Sequence, residues 1–302
     1  MHVSFGPWPF GFNLIPGTRR DDLLHGTPDP DAILGFAGND TLHGFEAGDY
    51  LNGGRGDDQL YGAKGDDTLV GGRGDDIADG GAGHDLVLGG AGANVLAGGC
   101  GDDVIRSGRD VNAVFGGKGH DRLLGRDGID AQFGGAGDDI LRGAGGLDLV
   151  VGGDGDDTMD TNQGIGAHVG GAGRDTFVIG DDIVGNHMVD LVLAVDFTVG
   201  EDRLQIGAEV LANVATVQDV TLDLVPILGQ VAGTGLFGPE LKAKRDLVED
   251  GGAVERDLGF LLGLQPDAQG QILADATVVT LNDGDQITVL GVSSSELLSL
   301  IA

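Results

Sequence analysis

The feature that most constrains this chain is a period. Residues 17–178 read as eighteen consecutive nine-residue units, 162 residues without insertion or deletion. Clear copies are Gly71-Gly72-Arg73-Gly74-Asp75-Asp76-Ile77-Ala78-Asp79 and Gly134-Gly135-Ala136-Gly137-Asp138-Asp139-Ile140-Leu141-Arg142. The sixth position is Asp in fifteen units, the exceptions being Asn94, Asn112 and Gly166. The eighth is apolar in sixteen, the exceptions being Gln132 and His168. A fixed period of this kind is the signature of stacked repeats, each burying its apolar side chain against its neighbours. It excludes a flexible linker, although 60 of the 302 residues are Gly.

One unit can be read physically. Gly is frequent at positions 1, 2 and 4, where the backbone can take positive φ and turn tightly. Carbonyl oxygens of such a turn can converge, and the Asp at position 6 adds a carboxylate. Positions 7 to 9 make a short strand whose middle residue points inward. A dense set of oxygen ligands suits a hard cation, and calcium better than magnesium, which demands a strict octahedron and keeps its waters. The charge agrees: 49 acidic against 17 basic residues, net −32. Such a surface argues against nucleic acid and anionic membranes as partners and favours a cation.

These units resemble the RTX family, whose hemolysin-type calcium-binding nonapeptides have the pattern G-G-x-G-x-D-x-U-x. The resemblance implies an all-β fold, a right-handed parallel β-roll solenoid with two nonapeptides per coil and about nine coils. It also implies Ca2+ ions between the turns of successive coils, held by position-6 carboxylates and turn carbonyls. Alternate units would then stack in two columns. The first is Asp31, Asp49, Asp67, Asp85, Asp103, Asp121, Asp139, Asp157 and Asp175. The second is Asp22, Asp40, Asp58, Asp76, Asn94, Asn112, Asp130, Asp148 and Gly166. All three substitutions fall in the second column, so its sites near Asn94, Asn112 and Gly166 are expected to be weak or empty.

On the second side the outward positions turn apolar: Val95, Ala97, Ala113, Phe115, Ala131, Phe133, Leu149, Val151, Ala167 and Val169. An apolar stripe on a face expected to be wet marks an interface. Either the C-terminal segment folds over it, or a protein partner or second copy docks on Phe115, Phe133, Leu149 and Val151. The core itself is thin, about one inward side chain per unit. The repeats also carry 29 acidic against 12 basic side chains. Where no site is preformed, metal binding contributes directly to folding, so the chain is expected to fold on calcium outside the cell.

Residues 1–16, with Phe5, Trp8, Phe10 and Phe12, read as an N-terminal aromatic cap on the first coil. They contain no basic n-region and no apolar run of signal-peptide length, and no stretch is long enough for a membrane span. Residues 179–302 read as a mostly β C-terminal capping and secretion-signal domain with a few short helices, interrupted at 207–276 by a possible insertion. Val195-Asp196-Phe197 and Gly200-Glu201-Asp202-Arg203-Leu204-Gln205-Ile206 resemble the segment after the repeats in serralysin-type C-terminal domains. Residues 277–290 pattern as a hairpin around Asp283-Gly284. Ser293 and Glu296 form a capping box for a terminal helix. Residues 239–250 and 253–264 are helix candidates. The apolar terminus Leu297, Leu298, Leu300 and Ile301 is similar to the signal of type I secretion substrates, which implies a type I exporter as partner and an extracellular location.

Catalytic patterns are missing from the sequence. H-E-x-x-H and G-x-S-x-G do not occur. Gly233-Thr234-Gly235-Leu236-Phe237-Gly238 lacks a βαβ setting. Cys100 is the sole cysteine, so no internal disulfide can form. His25 and His43 are expected to stack one coil apart on the outer surface. The resulting expectation is a secreted calcium-binding protein, not an enzyme, with a structural or interaction role. The alternative is a non-catalytic accessory module of an extracellular enzyme such as a protease, a lipase or a polysaccharide-active enzyme. A hydrolase with its site in residues 207–276 is the third reading.

Overall fold

The computed structural model describes residues 11–161, 165–180, 191–194, 201–207, 214–223, 273–281, 286–290 and 293–301. Strands form because positions 7 to 9 alternate about an inward residue that is apolar in sixteen units, while the Gly-rich half can reverse direction. The strands alternate between two sheets. The first has eleven strands, from Asn13–Pro16 through Asp31–Ala37 and Tyr50–Arg55 to Thr176–Ile179 and Arg203–Ile206. The second has thirteen, from Leu23–His25 through Thr41–Phe45 to Ile165–Ala172 and Leu191–Ala194. It ends with Gln286–Leu290, Leu273–Leu281 and Val214–Asp223.

Along the repeats every pairing is parallel with a step of two units. Ile33 pairs with Leu51 and Leu51 with Leu69 in one sheet; Leu42 pairs with Leu60 and Leu60 with Ala78 in the other. The chain is therefore a parallel β-solenoid of about nine turns, each turn made of two nonapeptides.

The space between the sheets is filled by the position-8 side chains. Ile33, Leu42, Leu51, Leu60, Leu69, Val87, Leu96, Ile105, Leu123, Leu141 and Met159 are all fully buried. Two polar residues occupy this row. Gln132 is buried and donates from Nε2 to the carbonyl of Arg142 at 2.9 Å. His168 is buried as well, and its ring lies over Gly166: a Cβ on that glycine would meet the His168 Cε1 at 2.6 Å. Gly166 and His168 are thus one adaptation, the missing side chain making room for the ring.

The ladder extends past both ends of the sequence period. Asn13 pairs with Asp31 and Ile15 with Ile33, which makes Asn13–Pro16 the strand half of a preceding unit. Thr176 pairs with Arg203 and Phe177 with Leu204. The rest of the expected aromatic cap, Phe5, Trp8 and Phe10, lies outside the described residues, as do both helix candidates and Gly233–Gly238 of the glycine-rich loop.

The expected hairpin is present as antiparallel strands Leu273–Leu281 and Gln286–Leu290, with Val279 opposite Ile287. Val279, Leu281, Ile287 and Val289 are buried in the same core as the roll. The capping box is also formed. The Ser293 N–H donates to Glu296 Oε2 at 2.9 Å, and the helix Ser294–Ile301 follows. Its Leu297 is buried. Among the described residues no helix is long and apolar enough to cross a membrane.

The apolar stripe is covered rather than open. Val95, Ala97, Ala113, Phe115, Ala131, Leu149, Ala167 and Val169 are at most 9% exposed, with Phe133 and Val151 half-buried. The chain itself covers this face, so Phe115 and Leu149 offer no exposed docking patch. On the first sheet the outward face stays wet, with Leu86, Arg106, Arg122, Ile140 and Arg142 exposed.

Candidate metal centres in the turns

Each position-6 side chain points into the roll beneath its turn. The site residues expected from the sequence are nearly all buried: Asp31, Asp40, Asp49, Asp58, Asp67, Asp76, Asp85, Asp103, Asp121, Asp130, Asp139, Asp148, Asp157 and Asp175 are at most 4% exposed. Asp22, in the first turn, is half-buried.

One carboxylate oxygen is committed to the fold. The N–H of Asp31 donates to Oδ1 of Asp49, that of Asp49 to Asp67, of Asp67 to Asp85, and of Asp85 to Asp103, at 2.7–2.8 Å. The second column behaves alike from Asp22 to Asp76, the Asp40 N–H donating to Asp58 Oδ1 at 2.8 Å. Each aspartate therefore ties its own turn to the one before it.

The other oxygen is not committed. Oδ2 of Asp40, Asp49, Asp58, Asp67, Asp85, Asp103, Asp121, Asp139 and Asp157 is buried without a hydrogen-bond partner. A buried charged oxygen left this way is costly. Burial shows in the acidity: desolvation, opposed by the backbone hydrogen bond, pushes Asp49, Asp67, Asp103, Asp139 and Asp157 up to about 7. Asp58, Asp85 and Asp121 rise to about 6 for the same reason.

Main-chain carbonyls of the next coil lie beside these oxygens, across the position-1 glycine. The point where a Cβ would sit on Gly62 is 2.3 Å from Asp67 Oδ2 and 2.6 Å from the Gly80 carbonyl oxygen of the next coil. Beside Gly116 the same point is 2.5 Å from Asp121 Oδ2 and 2.5 Å from the Gly134 carbonyl. Beside Gly152 it is 2.3 Å from Asp157 Oδ2 and 2.5 Å from the Gly170 carbonyl. A buried carboxylate oxygen without a partner, grouped with main-chain carbonyls, is an all-oxygen donor set, so the residues present fit calcium. Position 1 is glycine here because a Cβ would press against the carboxylate and that carbonyl. The donor set is one carboxylate with main-chain carbonyls, and among the described residues no three His, Cys, Asp or Glu side chains converge on one point.

Position 2 decides whether a turn is built this way. It is left-handed in most turns, even where it is not glycine: φ is 73° at Phe36, 83° at Phe45, 80° at Ala63 and 71° at Ala144. A bulky residue held there is strained. Thr18, Thr27 and Arg126 are not left-handed, and their N–H groups donate to Oδ2 of Asp22 (2.6 Å), Asp31 (2.5 Å) and Asp130 (3.3 Å). In these three turns the protein itself satisfies the carboxylate. Sequence reasoning treated all fifteen aspartates alike; non-glycine at position 2 was a signal, though Phe36 and Ala63 show that it is not sufficient.

Two further features escaped the sequence reading. Asp202 accepts the N–H of Asp175 at 3.0 Å, continuing the first column beyond the repeats; its signal was Gly200-Glu201-Asp202-Arg203-Leu204, the second half of a unit. Position 5 forms an exposed second ladder running the opposite way. The N–H of Asp57 donates to Asn39, of Asp75 to Asp57, of Asp102 to His84 Nδ1 and of Asp138 to His120 Nδ1, at 2.9–3.0 Å. Both imidazoles accept at Nδ1, so in this arrangement their ring proton sits on Nε2.

On the outer face His25 and His43 stack with ring centroids 5.1 Å apart, as expected, and Tyr61 continues the stack at 5.0 Å. Burial, and then the neighbouring His25, lower the pKa of His43.

A parallel solenoid whose glycine-rich turns present buried carboxylate oxygens without hydrogen-bond partners defines a calcium-binding β-roll. The profile of the RTX calcium-binding nonapeptide repeat (4 copies) matches residues 16–44, 43–78, 79–113, 98–131 and 133–166. Through this segment the chain belongs to the RTX calcium-binding repeat family. No curated protein matches the chain.

Proposed function

We propose that this chain is an extracellular RTX protein that folds on calcium and serves a structural or interaction role, with no catalysis of its own. The observation that carries the reading is the row of buried Oδ2 atoms without partners, stacked along the glycine-rich turns. The ligands are Asp40, Asp49, Asp58, Asp67, Asp85, Asp103, Asp121, Asp139 and Asp157, with the position-1 carbonyls of the following coil. Calcium supplies the positive charge that lets these carboxylates stay ionised inside the roll. Millimolar calcium outside the cell suits sites of extracellular type, with dissociation constants of about 10⁻⁴–10⁻³ M. The capped terminal helix and its apolar leucines support export through a type I system.

The test is far-UV circular dichroism of the full chain, first in excess chelator and then with calcium or magnesium added. The expected result is little strand signal in chelator, full signal in millimolar calcium, and a much higher midpoint for magnesium. An unchanged strand spectrum in chelator would overturn the reading.

A further inference from the structure

We infer that the second column is not a continuous calcium ladder: around Asn94, Asn112 and Asp130 a metal-free staple of side-chain amides replaces the ions. The inference deepens the proposed function and rests on it. Three observations point the same way.

The first is the direction of the hydrogen bonds. Nδ2 of Asn94 donates to Asn112 Oδ1 at 3.1 Å, and Nδ2 of Asn112 donates to Asp130 Oδ1 at 2.8 Å. Asn94 Oδ1 still accepts the Asp76 N–H at 3.0 Å, so the amide stack joins the backbone ladder of the preceding coils. The atom in the place of the unpartnered Oδ2 is now a donor, beside the point where a Cβ would sit on the position-1 glycine. Beside Gly89 that point lies 3.0 Å from Asn94 Nδ2, whereas beside Gly98 on the first column it lies 2.3 Å from Asp103 Oδ2. A cation beside Gly89 would meet the positive end of an amide dipole.

The second is a substitution at a distance in the unit. Position 1 is glycine in sixteen of the eighteen units; the exceptions are Ser107 and Thr161. These two units are the ones that carry Asn112 and Gly166 at position 6. In two of the three units that lost the carboxylate, the position-1 glycine is lost too. Ser107 is buried, and its Oγ donates to Asp130 Oδ2 at 3.3 Å. With the N–H of Arg126 on the same oxygen, Asp130 is satisfied without a metal.

The third is compensation on the outer face of the same coils. The flanking residues Val95, Ala113, Ala131 and Leu149 are buried there, while the corresponding residues of the first sheet, Leu86, Arg122 and Ile140, are exposed. Apolar burial is roughly proportional to the area removed from water. The second sheet therefore draws stability in these coils from a covered outer face, and the first sheet draws it from ions.

The experiment restores the lost sites in the full chain. In Asn94→Asp/Ser107→Gly/Asn112→Asp the carboxylates and the open glycine return. Bound calcium is counted by equilibrium dialysis and metal analysis for native and variant chains. The variant is expected to bind about two more ions per chain, one for each restored carboxylate ligand. Equal stoichiometry would overturn the inference and leave the proposed function intact; no calcium on the native chain would remove both. Should the variant fail to fold, lanthanide-soaked crystals of the native protein decide. Anomalous peaks are expected beside Gly98 and Gly116. A peak beside Gly89 or Ser107 overturns the staple.

Discussion

Burial sets each position-6 carboxylate against its own charge. A group whose pKa is raised on folding stabilises the fold fully below its unfolded value and loses that contribution as pH rises through the folded one. For Asp67 and Asp103 the window runs from 3.8 to about 7. The metal-free chain is therefore expected to gain strand signal as pH falls from 7.5 to 5 in chelator, and calcium affinity is expected to fall over the same range because protons compete for Oδ2. Titration by circular dichroism at both pH values checks this; a pH-independent chelator spectrum with a pH-independent calcium midpoint would contradict it. The columns give a second expectation at this scale. Asp103→Ala and Asp121→Ala remove a carboxylate that holds a neighbour's N–H and carries an unpartnered Oδ2. Hydrogen bonds to charged groups contribute about 1.5–3 kcal/mol each. Both variants should raise the calcium midpoint of folding more than Asn112→Ala does. A shift from Asn112→Ala as large as either aspartate variant would refute the difference. The identity of these aspartates was legible from the period alone. Which of them the protein satisfies by itself was not, because the choice lies in the φ of position 2. Phe36 and Phe45 take positive values there that their side chains disfavour.

At the scale of one turn, the position-1 glycine and the position-6 aspartate act as a pair. Gly98→Ala would place a methyl 2.3 Å from Asp103 Oδ2, so the proposed ligand oxygen would have to move. We expect it to cost a calcium site and to raise the folding midpoint as far as Asp103→Ala does. Substitution at the exposed Cys100 of the same turn should leave the midpoint unchanged. Parallel calcium titrations of Gly98→Ala, Cys100→Ser and the parent chain make the comparison, and a silent Gly98→Ala would dissociate the glycine from the site. The strands, the terminal hairpin and the capping box were readable from alternation and spacing, since each is fixed by contacts close in sequence. The strand Arg203–Ile206 was harder to place in the ladder. Its partner Asp175 lies 27 residues before Asp202, so the eighteen-residue step no longer announces the pairing.

For the whole molecule, the fold class followed from the repeat because a nonapeptide with one inward side chain can bury it only by stacking. The state of the second face was left between two alternatives. Val95, Phe115 and Leu149 marked a stripe that either the chain or a partner had to cover, and which of the two does so depends on segments distant in sequence. The two faces consequently differ in kind, one wet and acidic-turned, the other covered outside and amide-stapled within.

That inequality of faces fixes the increments in which the protein can change length. Excising residues 71–88, two units, removes one full coil and leaves every later side chain on its original face. Excising residues 71–79 alone transposes everything downstream: Leu86, Arg122 and Ile140 would fall on the covered face, and Val95, Ala113 and Leu149 would turn to water. The longer deletion should therefore keep cooperative, calcium-dependent melting, while the shorter one broadens or abolishes it in calorimetry. Equal melting of the two would mean that the faces are interchangeable. If they are not, duplication and loss along such a gene are counted in pairs, and an odd unit is a frameshift written in three dimensions.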